Sequence, residues 1–139
     1  MEGDQCSPSP FRWMLLEMNR TLIVDDESDV LNLMRIYLEA VGHEVETAEN
    51  GEQALQKIDE FKPDLVLLDI ILPGITGFEV LRQIRDNPKT SPLKVVIFTA
   101  LGSEVENMLG AGIKANGYLG KPFSKEQLYS VLDKAMGEG

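Results

Sequence analysis

The sequence predicts an α/β protein: a doubly wound, five-stranded parallel sheet with helices on both faces. Two observations carry this. Short β-branched or leucine-rich runs alternate five times with stretches of helical periodicity, the pattern of successive parallel βαβ units. The first, third and fourth runs are almost continuously apolar, as strands covered on both faces read. The second and fifth alternate with polar residues, as strands nearer an edge do. Strands one, three and four are then interior, and the order is 2-1-3-4-5.

The predicted strands cover 21–25, 45–48, 64–69, 94–98 and 116–119. Val30, Leu33, Met34, Tyr37, Leu38 and Val41 form the stripe of the first helix, which Asp26, Glu27 or Ser28 caps and Gly42 stops. Ala54, Leu55 and Ile58 mark the second, closed by Lys62-Pro63; Phe78, Leu81 and Ile84 mark the third, closed by Asn87-Pro88. The fourth, over 103–113, is the weakest, because Gly110 and Gly112 each cost a helix interior about 1 kcal/mol. Leu128, Val131, Leu132 and Ala135 mark the fifth, opened by Ser124 with Gln127 three residues on, a capping-box pattern.

Residues 1–17 read differently from the domain at 18–139. Ser7-Pro8-Ser9-Pro10 is turn-like or extended. After it Phe11, Met14, Leu15 and Met18 share one helical face, with Ser9 as cap and Pro10 in the first position. Two readings stand: a short amphipathic helix that docks on the domain or on a partner, or an upstream extension or artefact with Met18 as the true start.

The chain has 139 residues, room for one ordinary domain, and 43% hydrophobic residues, enough for a core. Thirteen lysines and arginines against 23 acids give net charge −10, which disfavours nucleic acid and anionic membranes as partners. Cys6 is alone, so no internal disulfide forms, and no apolar run is long enough to span a bilayer. Glu2 and Asp4 stand where a secretory signal wants basic residues. The expected setting is cytoplasmic. His43 reads as a surface residue in the turn after the first helix.

The apolar strands end in acid. Strand one runs into Asp25-Asp26-Glu27 and strand three into Asp69. Open α/β sheets bind ligands at the carboxyl ends of strands where the order reverses, here between strands one and three. One such acid is readily a helix cap. Three converging carboxylates raise one another's pKa unless a cation lies between them. An all-oxygen donor set favours a hard ion, Mg²⁺ first. Strand four ends in Thr99 and strand five in Lys121-Pro122, adding a hydroxyl and an ammonium. A metal, a lysine and a hydroxyl around a carboxylate suit a phosphoryl group, with the carboxylate as nucleophile.

These stretches resemble the response-regulator receiver domain of two-component signalling. The resemblance rests on Leu22-Ile23-Val24-Asp25-Asp26-Glu27, on 64–74 with Asp69 and Pro73-Gly74, on Gly77, on Thr99-Ala100 and on 117–123 with Lys121-Pro122, and it runs from about Met18 to Ala135. The family's fold is flavodoxin-like, (βα)5, with the same strand order, so the order is one expectation and not two. The resemblance implies that Asp69 accepts phosphate from a histidine kinase or phosphotransfer protein. Asp26 would ligate Mg²⁺ directly, Asp25 would hold a metal-bound water or share the ion, and the Ile71 carbonyl would be a further ligand. Lys121 would contact a phosphoryl oxygen across a cis bond to Pro122, and Thr99 would donate its hydroxyl. Tyr118 would turn inward as Thr99 moves, resetting a helix 4–strand 5–helix 5 surface that binds a downstream protein; the plainer reading is an aromatic that covers a sheet edge. Ile71 and Leu101 are apolar where the family's side chains influence hydrolysis, so slow loss of phosphate is expected. Lys114 departs from the family pattern, so the end of helix four is expected to be built differently; Asn116-Gly117 in place of an acidic pair, with no arginine in that helix, argues against dimers through the helix-four face.

Three competing functions are weighed. An aspartyl-phosphate phosphatase needs an acid to activate water, and Ile71 cannot serve. A flavodoxin-like electron carrier needs a hydroxyl-rich phosphate loop where this chain has Asp25-Asp26-Glu27-Ser28-Asp29. A degenerate receiver acting as an interaction module is at odds with the five filled positions. The expectation is a signalling phosphoacceptor and not an enzyme acting on other substrates.

Overall fold

The structure, a computed structural model, describes residues 20–99 and 115–137. Its elements run β1 (Arg20–Val24), α1 (Ser28–Glu39), β2 (Glu44–Ala48), α2 (Gly51–Phe61), β3 (Leu65–Asp69), α3 (Gly77–Asp86), β4 (Lys94–Thr99), β5 (Gly117–Gly120) and α4 (Lys125–Gly137). The helix expected over 103–113 and the extension at 1–17 lie outside the described residues. So α4 here is the fifth helix of the sequence reading.

All strand pairs are parallel and the order is β2-β1-β3-β4-β5, as the apolar runs predict. The three central strands carry the continuous burial, and the two alternating strands are the edges. Two cores sandwich the sheet. Ala54, Ile58, Val80, Leu81 and Ile84 of α2 and α3 pack on Leu22, Val66 and Val95. On the other face Met34 and Leu38 of α1 and Leu128 and Leu132 of α4 pack on Ile23, Leu67 and Phe98. Alternate residues of each strand therefore serve opposite cores, as the pleat requires.

The helices begin on local chemistry. Asn50 and Thr76 accept backbone N–H bonds from Gln53 and Glu79. Ser124 and Gln127 form the expected reciprocal pair, at 3.1 and 2.8 Å. At α1 the cap position falls on Glu27, whose side chain makes no capping bond.

Two expectations are corrected. Leu33 is 41% exposed, while Leu31, absent from the predicted stripe, is buried. At 100° per residue, Leu31 lies nearer than Leu33 to the line through Met34 and Leu38. His43 is buried at 4% exposure, with Nδ1 hydrogen-bonded to the Thr21 hydroxyl. The α1–β2 turn folds back against the start of β1, so a polar pair closes the core there. Burial pushes the imidazole down to about 4.

Candidate functional site

The strand register gathers the site. Val24 pairs with Leu68, so Asp25 and Asp69 leave neighbouring strands at the same level. Asp69 pairs with Phe98, one residue before Thr99, and Thr99 pairs with Gly120, one residue before Lys121. Four strand ends thus deliver Asp25, Asp69, Thr99 and Lys121 to the carboxyl edge of the sheet, where β1 and β3 diverge toward α1 and α3.

Lys121 ties the acids together. Its ammonium donates to Asp25 Oδ2 at 2.8 Å and to Asp69 Oδ2 at 3.0 Å, and it lies 3.7 Å from Glu27 Oε1. The other oxygens are also occupied: Asp25 Oδ1 accepts the Glu27 N–H at 3.0 Å and Asp69 Oδ1 the Ile71 N–H at 3.1 Å. The Lys121 backbone N–H donates to the Thr99 carbonyl at 2.9 Å, and the Lys121–Pro122 bond is cis. The ammonium also lies 4.9 Å from the centre of the buried Phe98 ring.

Burial shapes the electrostatics. It pushes the Asp69 carboxyl up; the Lys121 bond, the Ile71 N–H and the Lys121 charge pull down without cancelling it, and Asp25 adds a further push upward. Burial alone would lower Lys121, but its bonds to Asp25 and Asp69 and their charges outweigh that, and the net shift is upward. The asymmetry has a simple cause. One ammonium faces two buried carboxylates, so it stays charged, while its pull on Asp69 does not offset the burial of that carboxyl.

The acids that cluster most closely are Asp25, Asp26 and Glu27, with one carboxylate oxygen each within 4.8 Å of the others. Asp69 is not in that group; Lys121 connects it to Asp25. Asp25 is buried, and Asp26 and Glu27 are exposed. An all-oxygen donor set with one buried anchor and two open carboxylates suits a hard divalent cation that keeps several waters. The sequence offers Glu27 as one of three alternative caps of α1, with Asp26 and Ser28, and assigns it no ligand role. Its signal was present as the third acid of the run after β1.

Gly77 lets the site close. A Cβ there would fall 2.2 Å from the Asp69 carbonyl oxygen and 2.7 Å from the Ile70 Cα, and the Gly77 N–H donates to the Ile70 carbonyl at 2.9 Å. The start of α3 therefore lies directly on the end of β3. Beside Asp69, the Ile71 side chain is 58% exposed and offers no polar group to a water. Tyr118, half-buried on β5, packs against the core on the α2–α3 face.

Residues 21–133 match the model of the response regulator receiver domain. The phosphate regulon transcriptional regulatory protein PhoB of Rhizobium meliloti is 41% identical over 114 residues, covering 82% of this chain and 50% of that protein. The chain spans about half the length of the transcriptional regulators it matches in this way. Among solved structures, the chemotaxis response regulator CheY4 of Vibrio cholerae superposes with TM-score 0.78 at 30% identity, over 85% of this chain and 98% of that one. The receiver domain of a sensor histidine kinase from Pseudomonas aeruginosa, with magnesium coordinated in its active-site cleft, gives TM-score 0.76 at 27% identity, over 86% of this chain and 98% of that one. Among the described residues no helix is long and apolar enough to cross a membrane.

Proposed function

The chain belongs to the response regulator receiver domain family of two-component systems, and from that premise we propose that Asp69 is its phosphoacceptor. The observation that carries the reading is the Lys121 ammonium held between the Asp25 and Asp69 carboxylates at 2.8 and 3.0 Å. A lysine fixed beside a buried acid stands ready for the charge of an incoming phosphoryl group.

An Asp69 carboxylate oxygen attacks phosphorus in a phosphohistidine of a histidine kinase or phosphotransfer protein. The new O–P bond forms as the P–N bond breaks, and the departing imidazole takes up a proton from solvent. Lys121 neutralises oxygen charge as it develops, and Thr99 donates its hydroxyl to the phosphoryl group. Asp25, Asp26, Asp69 and the Ile71 carbonyl would hold Mg²⁺, which when bound supplies further positive charge at the phosphoryl oxygens. Tyr118 senses the change through Thr99 and resets the surface formed by the 103–113 segment, β5 and α4 for a downstream protein. The proposed setting is cytoplasmic. The reaction is the protein's own phosphorylation and slow dephosphorylation, not turnover of a separate substrate.

Intact mass after incubation with Mg²⁺ and acetyl phosphate tests this. The expected result is a gain of one phosphoryl group, lost in Asp69→Ala and strongly reduced by chelation. A gain that survives Asp69→Ala rules Asp69 out. The apolar Ile71 side chain implies a phosphorylated half-life well beyond seconds, shortened by Ile71→Asn. Decay within seconds in the native chain refutes that part.

A further inference from the structure

We infer that the segment ahead of β1, residues 10–19, docks by its apolar face in a cleft at the end of the sheet opposite Asp69. The cleft, about 570 Å³, opens between the C-terminal ends of α2 and α3. Its lining includes Leu55, Ile58, Ile84 and Leu93, together with Lys62, Lys89 and Lys94. Its place at the starts of β3 and β4 puts the length of β3 between it and Asp69.

Three observations choose the occupant. The first is where the chain enters the fold. Arg20 N–H donates to Asp64 Oδ2 at 3.1 Å, and Asp64 N–H donates to the Arg20 carbonyl at 2.7 Å. Asp64 lines the cleft, so residue 19 is joined to a residue already held on its wall. From β1 to β4 is two strand spacings, about 10 Å. A helix over residues 10–18 would be about 13 Å long, enough to cross that distance.

The second is the sequence pattern. Phe11, Met14, Leu15 and Met18 fall on one helical face, and the cleft offers Leu55, Ile58, Ile84 and Leu93 to meet it. Residues 1–19 lie outside the described residues, so only their sequence bears on the choice.

The third is charge. Glu2, Asp4 and Glu17 against Arg12 give residues 1–19 a net charge of −2; the docked stretch 10–19 holds only Arg12 and Glu17 and is itself neutral, so the surplus acid, Glu2 and Asp4, lies just upstream of it. The cleft carries three of the chain's eight lysines, against Asp59 and Asp64. Lys89 and Lys94 form no ion pair among the described residues, and Asp64 Oδ2 is already committed to the Arg20 N–H. In a chain of net charge −10 this is a locally cationic site, and the N-terminal 19 residues that lead into β1 beside it carry a net charge of −2.

Cys6 is the only cysteine, so a nitroxide can be attached there in the full chain without other changes. Amide spectra would then be recorded before and after the nitroxide is reduced. The expected result is at least a twofold loss of signal at Lys62, Lys89 and Leu93, recovered on reduction. The loss should disappear in Phe11→Asp and, from the other side of the contact, in Lys89→Glu combined with Lys94→Glu. Loss that is absent at the cleft, or unchanged in Phe11→Asp, overturns the inference. So does loss that arises only between a nitroxide-labelled chain and a separate isotope-labelled chain, which would make the occupant a second copy. Phosphorylation of Asp69 should be the same in native and Phe11→Asp chains, so the docking and the phosphoacceptor reading fail separately.

Discussion

Gly77 lies where α3 begins, and a Cβ there would meet the Asp69 carbonyl oxygen at 2.2 Å. The obstacle is backbone on both sides, so no side chain can rotate away. Gly77→Ala must push α3 off the end of β3. Overpacking of this kind costs roughly 1–3 kcal/mol, and here the displacement falls on the strand end that carries Asp69. The variant should unfold at lower urea and accept phosphate more slowly, whereas a loss of stability alone would mean that the helix yields and the site does not. His43 is a residue effect of a different kind. It is held neutral in the folded state down to about pH 4 and is free to protonate near 6.5 when unfolded. A folded-state pKa below the unfolded one gives no penalty above pH 6.5. Stability is then lost as pH falls from about 6.5 to about 4, with a ceiling of about 3 kcal/mol. Urea unfolding across that range should show a steeper decline for the native chain than for His43→Gln. Parallel declines would mean that the imidazole is reached by protons without unfolding.

The link between the end of α3 and the start of β5 shows what periodicity hides at the scale of elements. Arg85 donates to the Ser91 and Leu93 carbonyls at 2.9 and 2.6 Å and to Asn116 Oδ1 at 3.0 Å. The same Asn116 oxygen accepts the Val95 N–H at 2.8 Å, and the Asn116 N–H donates to the Val95 carbonyl at 2.6 Å. An asparagine side chain thus extends the β4–β5 ladder by one bond where β5 is only four residues long. Asn116→Ala removes the acceptor of the Val95 N–H and one acceptor of the Arg85 guanidinium, at a cost of about 1–3 kcal/mol. A double-mutant cycle with Arg85→Met should return a coupling above 0.5 kcal/mol; additive losses would mean that the two residues act independently. The elements themselves were legible, because burial on one or both faces of a strand, and helix caps, leave a mark in the local sequence. Strand ends came within a residue, and Asp25, Asp69, Thr99 and Lys121 were legible as strand-end residues once the order was known. Arg85 was not, because a long cationic side chain on a short helix reads as solvated until the loop it pins is seen. His43 was missed for a similar reason, because the way a turn folds is decided by neighbouring elements; Leu33 is different, since the helical angle already favoured Leu31 for the covered face.

At the scale of the molecule, the carboxyl end of the sheet concentrates charge that the fold itself does not neutralise. Asp25, Asp26, Glu27 and Asp69 meet a single ammonium there among the described residues, in a chain of net charge −10. Repulsion among these acids opposes compaction; the Asp69 carboxyl is pushed up mainly by burial, with a smaller push from the Asp25 charge. A divalent cation that binds the folded chain and not the unfolded one must therefore stabilise the whole domain, by about 2.7 kcal/mol at one hundred times its dissociation constant. For a domain of this size that is a rise in Tm of roughly 10 °C. Mg²⁺ should produce the rise and chelation reverse it, while NaCl at the same ionic strength gives only the smaller gain from screening. Asp26→Asn makes the argument sharper, because it should act in opposite directions. Removing an exposed acid relieves repulsion and raises the metal-free Tm slightly, yet it removes a ligand and flattens the Mg²⁺ response. A variant that lowers the metal-free Tm would show that Asp26 supports the fold directly. A variant that keeps the full Mg²⁺ response would show that the ion is held by Asp25 and Glu27 without it.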